Sequence, residues 1–270
     1  MQMEHYLDFA KDLAQQAGRK MVDAKQSAQF KCRYKQGHEL VTSVDLDIDD
    51  LLCRAINEAF PNHYILSEES SPNFCFHDIS EQDWVWVIDP IDGTVNFAHN
   101  HMHVAISIGL IHQEKRVLGV VYAPFLNELF WAEKGQGAYL NEEKLSVSSE
   151  IDLKKALVAT GFPYVKNELE PLLKQMHNIL KNCQDIRRNG SAALDLCWVA
   201  AGRLEAYYET VKPWDMAAGA LIAAEAGAQI GYYSSKPNMS KNWPHELRSD
   251  HLLVAAPDLY QAIYELLIDE

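Results

Sequence analysis

A chain of 270 residues, 48% apolar and 23% charged, is long enough to bury a substantial core without disulfide or metal staples, and no run in it approaches the roughly 18 apolar residues a membrane span needs. Its 24 Lys+Arg against 38 Asp+Glu leave a net charge of −14, which argues against a direct nucleic-acid partner, because phosphate backbones are held by clustered basic side chains. Glu4 and Asp8 stand where an export signal needs a basic and then an apolar stretch, and Cys32, Cys53, Cys75, Cys183 and Cys197, odd in number and without a C-x-x-C pair, suit reduced thiols in the cytoplasm.

From Glu4 to Asp23, Ala10, Leu13, Ala14, Ala17 and Met21 recur at helical spacing and predict an amphipathic helix. A second helix is expected over Val44 to Phe60, with Thr42 and Asp45 as a capping-box start and Pro61 as its stop. The period then shortens. Trp84 to Ile88, His103 to Ile111, Arg116 to Tyr122 and Glu128 to Ala132 read as strands of a β-meander, turned at His112-Gln113-Glu114-Lys115 and Pro124-Phe125-Leu126-Asn127. Beyond Leu145 helices and strands alternate: extended Ala156 to Thr160, a helix Leu169 to Lys181, and extended Asp185 to Arg188. A helix Ser191 to Ala201 follows, then a strand Leu204 to Glu209 and a helix Asp215 to Ala226. Ser191 is the candidate N-cap of its helix, and Gly202 and Gly227 are stops. A division into 1–145, helices plus antiparallel sheet, and 146–270, an α/β half, is expected. No Pro/Gly/Ser-rich linker marks it, so the halves should pack as one unit.

Chemistry concentrates at Asp89-Pro90-Ile91-Asp92-Gly93-Thr94, directly after an apolar strand. Pro90 keeps Asp89 extended and Gly93 permits a sharp turn, so both aspartates and the Ile91 carbonyl can face one concavity. Two carboxylates on a rigid turn suit a hard cation such as Mg²⁺. The plainer alternative is a solvated β-turn. The D-P-x-D-G-T pattern fixes five positions, however, and a chance occurrence in a chain of this length is on the order of 10⁻⁴.

With Leu40-Val41-Thr42-Ser43-Val44-Asp45, Ser67-Glu68-Glu69, Trp86 through Phe97, Arg188-Asn189-Gly190-Ser191-Ala192-Ala193 and Trp214-Asp215-Met216-Ala217-Ala218-Gly219 in this order, the chain resembles the inositol monophosphatase family over nearly its whole length. The resemblance implies an α/β layered αβαβα sandwich of the inositol monophosphatase/fructose-bisphosphatase type and a Mg²⁺-dependent, lithium-sensitive phosphatase of small phosphate esters. It implies that Glu68, Asp89 and the Ile91 carbonyl hold a first Mg²⁺ and that Asp89, Asp92 and Asp215 hold a second, with a third near Glu68 in some relatives. Two cations about 3.5–4 Å apart would then clamp the attacking and leaving oxygens of an in-line displacement. Thr94, bonded to Asp45, would accept the water proton together with Glu68. Asp92, Gly93, Thr94, Gly190, Ser191, Ala192, Glu209 and Asp215 would line the substrate, Glu209 as an ionised acceptor for the hydroxyls of a polyol. Lys35 matches a family lysine near the metals. A homodimer is also implied.

Each acidic residue has a dull explanation by itself: Glu68-Glu69 as an exposed pair, Asp45 and Asp215 as helix caps. The case is joint. His99, His101 and His103 alternate as zinc ligands on one strand face would, but surface or entrance histidines are the better reading. Asp47, Asp49 and Asp50 lack the glycine of a calcium loop and are expected on a solvated helix face. Histidinol-phosphate, fructose-1,6-bisphosphate and 3′-phosphoadenylate phosphatases share the metal scaffold, and Val95-Asn96-Phe97 with Glu209 favours inositol 1-phosphate. Residues 231–242 depart from the Asp-containing, glycine-rich turn of relatives. A reading of another class is a regulatory binding protein associated with the transcription apparatus, as for some bacterial members of the family.

Overall fold

The computed structural model describes residues 2–27, 30–35, 39–71, 79, 81–164, 166, 169–234 and 245–268. Helix α1 (Gln2–Ser27) is followed by a hairpin, β1 (Cys32–Lys35) and β2 (Glu39–Thr42), and by α2 (Ser43–Ala59). A seven-stranded sheet comes next, its strands in chain order: β3 (Tyr64–Ser67), β4 (Trp84–Asp92), β5 (Ala105–His112), β6 (Lys115–Ala123), β7 (Glu128–Glu133), β8 (Gly137–Leu140) and β9 (Glu143–Lys144). Among the described residues of this sheet only β3 and β4 pair in parallel; the rest is the expected meander. A short helix α3 (Thr94–Ala98) interrupts the chain between β4 and β5. At the β5–β6 turn Gln113 and Glu114 have φ of 47° and 63°, the two left-handed residues of a tight hairpin turn that matches strand twist.

The remaining elements are β10 (Leu157–Thr160), α4 (Glu170–Asn182), β11 (Asp185–Arg187), α5 (Ala192–Ala200), β12 (Ala206–Glu209), α6 (Pro213–Glu225), β13 (Gln229–Tyr232), β14 (Leu252–Ala255) and α7 (Pro257–Leu267). Their strands form a second sheet in the order β11-β10-β12-β14-β13.

Side-chain alternation builds the layers. On β4, Trp86 and Ile88 join α1 and α2 in one buried cluster, while Val85 and Val87 on the other face meet Trp214 and Ala217 of α6. On β12, Tyr207 packs with α5 and α6, whereas Ala206 and Tyr208 pack with Ile179 of α4 and Leu259 and Ile263 of α7. Successive residues of a strand face opposite ways, so both sheets are covered twice. The result is α1/α2, sheet, α5/α6, sheet, α4/α7: the expected αβαβα sandwich. Among the described residues no helix is long and apolar enough to cross a membrane.

Three expectations need correction. The strand expected from His103 begins at Ala105, so the three histidines share no strand face; His99 and His101 are exposed and His103 is half-buried. Asp49 is buried rather than solvated, taking hydrogen bonds from Ser67 and Ser70 and so bracing the turn after β3; Asp47 and Asp50 are exposed as expected. The strand expected from Leu204 begins at Ala206. Cys32, Cys53, Cys183 and Cys197 are free thiols. Cys75 and residues 235–242 lie outside the described residues.

Candidate active site

Asp89 and Asp92 end β4, where the pairing with β5 shifts register between them. Pro90 has no N–H to give a ladder, and Ile91 N–H is taken by Asp89 Oδ1 at 3.0 Å. Glu68 follows β3, and its N–H donates to the Ile88 carbonyl at 3.3 Å. That bond sets Glu68 beside Asp89. Asp215 arrives from the central helical layer, the third residue of α6, its Oδ2 accepting from Lys212 N–H at 2.7 Å. Asp89, Asp92 and Asp215 each bring an oxygen within 4.8 Å of the others.

Such crowding is costly without a cation. Asp89 is held well above the ordinary carboxylate range by burial and by Coulomb repulsion from Glu68 and Asp92. Asp215 is raised by burial and Asp92, and Glu68 is raised by burial against the pull of Lys35. Burial pushes Asp92 up to about 6, although Ser191 Oγ at 2.6 Å and Ala193 N–H at 2.7 Å both donate to its Oδ2. These bonds commit Asp92 Oδ2 to the start of α5. An all-oxygen donor set with no sulfur or imidazole suits a hard divalent cation. The residues fit the Mg²⁺ that the resemblance implies.

Beneath this cluster Thr94 Oγ1 donates to Asp45 Oδ1 at 2.8 Å and lies 3.1 Å from the Ile91 carbonyl. Asp45 is buried, and burial raises its carboxyl against the opposing bonds from Thr42 and Thr94. Its Oδ2 completes the capping box with Thr42, at 2.9 Å from N and 2.5 Å from Oγ1. One oxygen caps the helix and the other holds Thr94, so the dull role and the chemical one coexist. Asp215 is likewise both a first-turn residue of α6 and a member of the acidic cluster.

The cluster opens into a cleft of about 500 Å³ whose wall includes Lys35, Glu68, Asp92, Ser191, Glu209 and Asp215. Gly190 and Ala192 are on the same wall, while Asp89, Asp45 and Thr94 are buried and Gly93 is the left-handed N-cap of α3. Lys35 Nζ lies 2.5 Å from Glu69, 3.2 Å from Glu39 and 3.4 Å from Glu68. Burial alone pulls the Lys35 ammonium down, but the three carboxylates outweigh it and hold it above its usual range. Glu209 takes a 2.5 Å bond from Tyr207 OH. Burial nevertheless pushes it up to about 7, against that bond and the charge of Arg188.

A model of the inositol monophosphatase family matches residues 2–269. The chain belongs to that family. It is 39% identical over 231 residues to the Nus factor SuhB of Pasteurella multocida, covering 85% of this chain and 82% of that one. Inositol monophosphatase 1 of Solanum lycopersicum is 36% identical over 270 residues, 98% of this chain and 95% of the other. The extragenic suppressor protein suhB of Bartonella henselae superposes with a TM-score of 0.86 at 29% identity, covering 97% and 98%.

Within this family member, part of the cleft wall was not singled out from the sequence. Phe162, Tyr164 and Arg188 line it, the Arg188 guanidinium 5.2 Å from the Phe162 ring centre. Asp195 also reaches the cleft although α5 buries it. No periodicity announces these residues, because they come from segments brought together only by the second sheet.

Proposed function

We propose that the chain is a phosphoric monoester hydrolase that uses Mg²⁺ and acts on a small polyol phosphate, inositol 1-phosphate above others. The observation that carries the reading is the convergence of Asp89, Asp92 and Asp215 beside the Thr94–Asp45 pair. Glu68, Asp89, the Ile91 carbonyl, Asp92 and Asp215 would hold Mg²⁺, which supplies Lewis-acid polarisation of the ester and of a water and stabilises negative charge. Asp45 fixes the Thr94 hydroxyl proton, so the Thr94 oxygen is left to accept a proton from water, with Glu68 as the second acceptor. Gly93 and Thr94 begin α3, where first-turn N–H groups have no partner inside a helix and can face a phosphoryl oxygen. Gly190, Ser191, Ala192 and Glu209 would face the alcohol part. Near neutral pH Glu209, at about 7, can donate as well as accept, which suits hydroxyls in either orientation.

The test is phosphate release from inositol 1-phosphate, histidinol phosphate, fructose 1,6-bisphosphate and 3′-phosphoadenylate with Mg²⁺ or Mn²⁺. Release by the wild type and none by Asp92→Asn is expected; no turnover of any ester with either metal overturns the reading. A second reading rests on the 39% identity to a Nus factor: a regulatory partner of the transcription apparatus, for which Asp92→Asn would retain full biological activity.

A further inference from the structure

Asn96 belongs to the D-P-I-D-G-T-V-N-F segment but does not line the cleft. It is buried on α3, and its Nδ2 donates to two backbone carbonyls, those of His103 and Asn189, each at 2.7 Å. Asp195, buried on α5, completes the circuit from the other side. Its Oδ1 accepts from Asn189 Nδ2 at 2.7 Å and meets His103 Nε2 at 3.1 Å. Asn96 therefore grips the backbones of His103 and Asn189, and Asp195 grips their side chains. The His103 ring is further wedged edge-on against Trp198, with ring centres 4.7 Å apart.

This closed knot ties the first sheet to the second at the point where their turns touch. Gly93 and Gly190 both have left-handed backbones, φ 99° and 90°. A Cβ on Gly93 would come within 3.1 Å of the Gly190 and His103 carbonyls, and one on Gly190 within 3.1 Å of Asn96 Nδ2. Arg188 Nη1 would lie nearer still to a Cβ on Gly190, at 2.5 Å. No side chain fits between the turns, and the Asn96 amide is one of the groups that hold them together. Ser191 Oγ, directly after Gly190, and Ala193 N–H, in the first turn of α5, are the donors on Asp92 Oδ2. Directly before Asn189 comes Arg188, which reaches the cleft wall.

We propose that Asn96 is a positioning residue of the hydrolysis: by holding the 189–190 turn it places the two donors that orient Asp92, without touching substrate. The activity arm rests on the hydrolase reading above. Asn96→Asp keeps the shape but sets a carboxylate oxygen against two carbonyl oxygens. The expected result is a kcat lowered about 10²-fold with KM little changed, as displacement of a reacting group by about 1 Å produces. Amide exchange over residues 189–194 should accelerate about tenfold, the change a broken hydrogen bond of about 1.4 kcal/mol gives. Leu259→Ala, in the cluster under α7, is the control: a similar fall in Tm with kcat and exchange at 189–194 unaltered. Asn96→Asp with wild-type exchange at that turn, or with a kcat equal to that of the control, overturns the proposal. Should the wild type hydrolyse no ester, the hydrolase reading falls. The exchange measurement needs no substrate and still decides the knot.

Discussion

Glu209 offers a sharp test of the electrostatics of the cleft. Burial lifts its carboxyl from 4.5 to about 7, against the Tyr207 bond and the Arg188 charge. Below the lower value the group is protonated whether the chain is folded or not, and it contributes nothing to the pH dependence. As pH rises from there, the unfolded chain ionises freely while the folded chain keeps its proton. Stability falls over that window and levels off above pH 7. With 1.36 kcal/mol per unit, the loss attributable to Glu209 is about 3 kcal/mol. Glu209→Gln retains an acceptor for Tyr207 OH and removes the titration. Urea unfolding of both proteins in EDTA, from pH 4.5 to 8.5, should show the variant gaining on the wild type by about 3 kcal/mol. The gain should be confined to the lower part of that range. Titrating groups remote from Glu209 appear in both proteins and cancel in the difference, whereas Asp215, which Glu209 helps to raise, titrates lower in the variant. A difference that is flat with pH would refute the reasoning. So would a difference of opposite sign, because it would mean that the folded state favours the ionised form. Gly161 adds a steric reason for the burial: a Cβ there would lie 1.9 Å from Glu209 Oε2, so the carboxylate is seated directly on bare backbone.

Two further outcomes follow from the same geometry. Asp89→Asn preserves the acceptor for Ile91 N–H but removes a carboxylate crowded by Glu68 and Asp92. In EDTA its thermal midpoint should exceed that of the wild type, whereas the upward shift that Mg²⁺ gives the wild type by mass action should vanish, both read by scanning calorimetry. Thr94→Val strips Asp45 Oδ1 of its donor inside the protein. A loss of about 1–3 kcal/mol in denaturant unfolding is expected, with phosphate release slowed about 10²–10⁴-fold and largely recovered in Thr94→Ser.

Long periodic elements were legible in the amino-acid order. The stripe Ala10, Leu13, Ala14, Ala17, Met21 belongs to α1, and the same residues form one buried cluster. The meander was legible because each strand pairs with its successor through a local turn. The hairpin of β1 and β2, with four residues in each strand, was not, and neither was β14, which lies between β12 and β13 only through pairings distant in the chain. Short strands carry too little alternation to be told from loops. The pairing of Asp89 with Asp92 was readable from their turn, and the addition of Asp215 to them from the resemblance to the family, whose compact signatures carry these carboxylates. The Asn96 knot was invisible for the opposite reason: His103 and Asp195 are separated by 92 residues, and neither stands out from its neighbours. Asp49 was misread because helix periodicity shows which face a residue shares, while only the turn after β3 could reveal that a serine pair covers that face.

The placement of β14 has a consequence for synthesis. Residues 252–255 occupy the position next to β12, the strand that ends in Glu209 and leads into α6. A nascent chain that has already emitted every acidic member of the cluster therefore still lacks the strand that backs β12. Non-local pairing of this kind is completed late. Assembly of the acidic cluster against a fully backed β12 then waits for the synthesis of residues 252–255 and does not guide the polypeptide before them.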